Sequence, residues 1–140
     1  MKKFFLIIIL CFAAVQALEA KRVRFDIDGA CFRYSETESV WEIYYSFPDT
    51  LFKYIPDKGS YLGELFINLK INSSVKEEVD YKWIVTNRID SLSRPKFENL
   101  VGKKAFSLKP GQYSAEIKIR DLHDTSTYAE TSFDFMVKKI

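Results

Sequence analysis

The side chains able to do chemistry are few and dispersed. His123 is the sole histidine of the 140-residue chain and stands in Asp121-Leu122-His123-Asp124, a run that reads as a turn. A hydrolase would use it as a base toward a serine or cysteine, oriented by a neighbouring acid. No nucleophile motif accompanies it, so hydrolysis at His123 is the least favoured function. The glycines are too scattered for a phosphate-cradling loop. Ligation by cysteine and histidine fails on count, because a single residue of each is left once the N-terminal segment described below is set aside. Calcium is the remaining metal to weigh. Asp26, Asp28, Asp121 and Asp124 would supply hard oxygens if their strand ends met in space. Their spacing matches no defined calcium loop, and aspartate also favours strand ends because it bonds its own backbone there. The expectation is a chain with no catalytic residue, no metal and no cofactor.

Aromatic residues make up 16% of the chain. Trp41 and Trp83 fall on alternating apolar faces and are expected in the core. Tyr44 and Phe66 lie off those faces, and Tyr54, Tyr61 and Tyr128 lie near strand ends or loops. Rings exposed on a sheet stack on sugars or anchor a protein partner, so these five are the candidate ligand-binding residues. The plainer alternative is that they pair across strands or cover a sheet edge. Glu116, Lys118 and Arg120 form an alternating charged face, as do Glu130 and Asp134. Paired across a ladder, such charges contribute about 0–1 kcal/mol each. Asn72-Ser73-Ser74 is a glycosylation sequon, of consequence only in a eukaryotic secretory pathway.

The elements that must position these residues are strands. Alternation of apolar and polar residues runs through Val23–Ile27, then Ala30–Tyr34 beyond a bend or bulge at Gly29, then residues 39–47, 61–71, 79–86, 104–109, 113–119 and 128–139. Residues 54–62 read as turn, 72–78 as a hairpin loop and 87–103 as irregular, with room for one short strand or a single helical turn. Amphipathic helices are missing from the pattern, and parallel crossovers would require them. About seven or eight antiparallel strands with one wet face each imply an all-β, immunoglobulin-like sandwich spanning residues 21–140, with a closed barrel as the alternative.

Residues 1–20 stand apart. Lys2 and Lys3 precede an apolar run from Phe4 to Val15, and small residues follow at Ala17 and Ala20. This is the order of a secretory signal peptide, cleaved after Ala17 or Ala20. The run is about a dozen residues, short for a bilayer span, so an uncleaved anchor is the only membrane association to weigh. Cys11 follows Leu10 in mid-run, which excludes a lipoprotein signal. Cleavage after Ala20 removes Lys2, Lys3 and Glu19 and leaves 19 basic and 18 acidic residues. That balance gives no electrostatic case for nucleic acid. Cys31 would then be the lone cysteine, and its Ala30-Cys31-Phe32 setting predicts burial.

Two motifs carry a family likeness. Phe106-x-Leu108-x-Pro110-Gly111-x-Tyr113, trailing to Asp121, looks like a penultimate hairpin of extracellular sandwiches. With Tyr44-Tyr45-Ser46-Phe47-Pro48, it resembles the N-terminal β-rich region of bacterial GWxTD-domain proteins, over most of residues 23–138. The Gly-Trp-x-Thr-Asp element itself is absent from the sequence. The resemblance therefore implies a stand-alone or truncated copy of the accessory sandwich in an exported bacterial protein, and it supplies no reaction and no site residues. The function expected is a secreted or periplasmic, non-enzymatic module that binds an envelope protein, with glycan binding as the alternative.

Overall fold

The computed structural model describes residues 21–22, 26–33, 35–93 and 98–139. Residues 1–20, expected to be a signal peptide, Val23 and Phe25 of the first alternating run, Tyr34 and Pro95 lie outside them. Among the described residues nine strands follow one another: β1 (Lys21–Arg22), β2 (Asp26–Arg33), β3 (Ser39–Pro48), β4 (Ile55–Asp57), β5 (Ser60–Asn72), β6 (Glu77–Ile89), β7 (Asn99–Leu108), β8 (Gly111–Asp121) and β9 (Thr127–Val137). The only helical turn among the described residues is a 3-10 turn at Asp49–Leu51.

Two sheets form. The larger runs β1-β9-β8-β5-β6, with β4 beside the first residues of β5. The smaller runs β2-β3-β7. All pairings are antiparallel except the two-residue contact of β1 with β9. Alternation decides what lies between the sheets, because successive side chains point to opposite faces. Trp41, Ile43 and Phe47 of β3 meet Leu65, Ile67, Leu69 and Ile71 of β5 and Tyr113, Ala115, Ile117 and Ile119 of β8 in one buried cluster. Trp41 stacks on Phe135 of the opposite sheet, with centroids 4.1 Å apart and planes at 12°.

The pairing defines an immunoglobulin-like sandwich. In its strand lettering, β2, β3 and β7 are A, B and E, and β6, β5, β8 and β9 are C′, C, F and G. Tyr113, near the start of strand F, donates its hydroxyl to the Lys109 carbonyl at 2.6 Å. That is the tyrosine corner of this fold.

Several local expectations are corrected. Lys109-Pro110 does not close a hairpin: β7 pairs with β3 while β8 pairs with β5 and β9, so this link carries the chain between sheets. Gly29 makes no bulge, since β2 pairs with β3 in unbroken register. A Cβ at Gly29 would lie 2.9 Å from the Trp41 indole nitrogen, so the ring occupies the place of a side chain. The inward parity of β2 is therefore Ile27, Gly29, Cys31. Phe32 is left 48% exposed, and Cys31 packs against the core while only half-buried. Residues 54–62 hold β4 and the start of β5 rather than turn alone. Strand β7 begins five residues before the predicted Lys104 start, at Asn99. Its inward positions include Gly102, which lies against the Tyr45 ring, and Lys104, whose ammonium sits 5.4 Å from the Trp83 ring centroid and 5.6 Å from that of Tyr81.

Candidate functional site

The outer face of the larger sheet carries the candidate site. It arises from register. Phe66 of β5 stands opposite Ile84 of β6 on one side and Arg120 of β8 on the other, and Arg120 stands opposite Tyr128 of β9. Ile84, Phe66, Arg120 and Tyr128 thus form one row across four strands. The next row is Lys82, Asn68, Lys118 and Glu130, and the one beyond it Asp80, Lys70, Glu116 and Ser132. All these positions have the parity opposite to the buried one on their strands, so the rows face solvent. Phe66, Asn68, Lys118, Arg120, Tyr128 and Glu130 line a shallow groove of about 310 Å³.

The electrostatics of the face are uneven. Lys118 is 3.1 Å from Glu116 and 4.0 Å from Glu130. Its ammonium is held above the ordinary lysine range, first by the hydrogen bond to Glu116 and then by the charges of both acids. Asp80 accepts from Asn68 Nδ2 at 2.7 Å, and that bond, ahead of Lys82 and Lys70, lowers its carboxyl. Ion pairs this exposed add little stability. Arg120 differs from its neighbours. Its guanidinium carbon lies 4.9 Å from the Phe66 ring centroid, and among the described residues no hydrogen bond or ion pair engages its N–H groups.

The five candidate rings do not share a platform. Tyr44 is on the outer face of the opposite, smaller sheet, where its hydroxyl donates to Glu42. That bond raises the phenol and lowers the Glu42 carboxyl, which also has Lys103 at 3.5 Å. Tyr54 is a half-buried strut packed against the core. Its hydroxyl donates to the Asp49 carbonyl at 2.9 Å and accepts from Asn87 Nδ2 at 2.8 Å, and its ring stacks on Phe52. Tyr61 lies half-buried on the inward parity of β5, opposite Ile89 and Pro56. Only Phe66 and Tyr128 share a row, with Arg120 between them.

The aspartates also part company. Among the described residues, no three histidine, cysteine or acidic side chains gather closely enough to hold a metal ion. Asp121, 2% exposed, accepts from the backbone N–H of Lys53 at 2.6 Å and of His123 at 2.8 Å. Asp124 accepts from Ser126 and Thr127 and closes the β8–β9 turn. These bonds, Ser126 first, lower its carboxyl. Asp28 accepts from the N–H of Gly29, far from that turn in sequence and on the other sheet. His123 Nε2 lies 3.0 Å from Glu64 Oε1, and among the described residues no hydroxyl or thiol bonds to the ring. The pair ties the β8–β9 turn to β5.

Ile84, 51% exposed, is the residue of this face that sequence reasoning passes over. Its signal is an aliphatic side chain on the polar parity of β6, between Lys82 and Thr86. Arg120 is legible as a solvated charge, but its place between two rings depends on the pairing of β5, β8 and β9. No family model and no curated protein matches this chain.

Proposed function

We propose that this chain is an exported interaction module of the bacterial cell envelope that engages a protein partner through the outer face of its larger sheet. The observation that carries this reading is the row Ile84, Phe66, Arg120, Tyr128, an apolar and aromatic stripe with one cation on an otherwise salt-bridged face. Aromatic and arginine side chains are the residues that most often anchor interfaces. Export rests on the Lys2-Lys3 start, the apolar run and Ala17 and Ala20. It is supported by the likeness to the sandwich region of GWxTD-domain proteins.

A photo-reactive residue placed at Ile84 tests the face directly, with the same residue at Val101, 79% exposed on the other sheet, as control. In exporting cells, Ile84 should give a discrete protein adduct, Val101 should not, and Arg120→Glu should abolish it. Adducts of equal yield from both faces, or none from Ile84, would count against the reading. N-terminal sequencing of the exported chain should begin at Leu18 or Lys21. Glycan binding is the second reading, and the shared row of Phe66 and Tyr128 is what favours it. Saturating oligosaccharide that blocks the Ile84 adduct would decide for it.

A further inference from the structure

The Arg120 guanidinium, which meets the Phe66 ring but no acceptor among the described residues, narrows the chemistry of the partner, on the footing of the protein-partner reading above. We infer that Arg120 receives the carboxylate of an acidic side chain in an extended segment of that partner, laid along the Ile84–Tyr128 row. The first support is pairing. Glu116 and Glu130, the acids nearest on β8 and β9, are held by Lys118, while Arg120 has no acceptor among the described residues. The second is position. The guanidinium carbon lies over the Phe66 ring, 4.9 Å from its centroid, and Tyr128 flanks Arg120 on the next strand. A guanidinium placed there can offer a carboxylate two N–H groups at once. The third is charge. With Lys118 set against Glu116 and Glu130, Arg120 is the cation of the groove lining left to meet an anion.

The row also selects a peptide over a sugar. With strands about 4.8 Å apart, four positions span roughly 14 Å, the length of about four extended residues. In an extended segment, alternate side chains face the same way. An acidic residue over Arg120 would therefore have apolar residues two positions away on either side, one toward Ile84 and one toward Tyr128. Ile84 offers an aliphatic contact for such a residue, and an aliphatic side chain gives a sugar ring nothing to stack on.

The test titrates the full isotope-labelled chain with acetyl-Val-Ser-Glu-Ser-Phe-amide and with the same peptide carrying Gln for Glu. The Glu peptide should shift the NMR signals of Phe66, Ile84, Arg120 and Tyr128 and bind about ten-fold more tightly than the Gln peptide, a typical margin for a charge-assisted pair. Arg120→Gln should erase that difference, Arg120→Lys should restore only part of it, and Lys118→Gln should leave it in place. Equal binding of the two peptides, or shifts confined to the smaller sheet, would overturn the inference. If that happens while the Ile84 adduct persists, the carboxylate is wrong and the protein-partner reading stands. If a uronic-acid oligosaccharide shifts these four residues and neither peptide does, both fall.

Discussion

Tyr113 serves the fold through both ends of its side chain. The ring stacks on Phe135, with centroids 5.6 Å apart, and the hydroxyl holds the Lys109 carbonyl beside the sheet-to-sheet link. Tyr113→Phe should lower unfolding stability by about 1 kcal/mol, read from the urea midpoint at neutral pH. Burial, with a smaller push from Glu78, raises the phenol above its ordinary value of 10.0. A group raised in the folded state gives stability that is whole below the unfolded value and lost as pH rises through the folded one. Stability should therefore decline above about pH 10, and Tyr113→Phe should flatten that decline. An alkaline slope unchanged in the variant would reject the role. Gly111, two residues earlier, has φ +157, and a Cβ there would meet only the Tyr113 ring at 3.9 Å. Backbone conformation rather than space is what keeps a side chain out. Gly111→Val should cost about 1–3 kcal/mol, and an unaltered melting temperature would refute that assignment.

Among the elements, legibility tracks how purely a strand alternates. Strands β5 and β8 read correctly because Leu65, Ile67, Leu69 and Ile71, and Ala115, Ile117 and Ile119, are all buried at their inward positions. The first half of β7, Asn99–Lys103, is not told apart from an irregular stretch. Its inward residues are Leu100 and Gly102, and Gly102 breaks the apolar pattern because the Tyr45 ring fills the space beside it. Gly102→Val should drive a branched side chain into the Tyr45 ring and destabilise by about 1–3 kcal/mol in chemical denaturation, whereas Val101→Thr next door should be nearly neutral. The same limit governs the candidate site. Phe66 can be picked out by parity and Tyr128 by its place near a strand end, but that they bracket Arg120 depends on which strands pair and in what register. The pairing of Phe66 with Arg120 joins strands far apart in sequence, and no local pattern encodes it.

At the scale of the whole molecule, stacked rings clamp the two sheets. Trp41 against Phe135 is the closest such stack, and Trp41→Ala should cost about 3–5 kcal/mol, a large share of a small domain's stability. At the opposite margin, β6 and β7 are the last strands of their sheets, and among the described residues their outer backbone edges have no partner strand. Lys104 sits on that margin, pointing inward over Tyr81 and Trp83. A lysine in that position is an obstacle to another chain's strand, since zippering two copies together would strip its ammonium of water. The cation–ring contacts let the monomer hold the charge at little cost. Lys104→Leu should leave the melting temperature equal or higher and yet make concentrated solutions scatter light sooner. Clear solutions of the variant at concentrations the parent tolerates would end that idea. One awkwardly placed lysine would then keep an open-edged sandwich from aggregating in a crowded compartment.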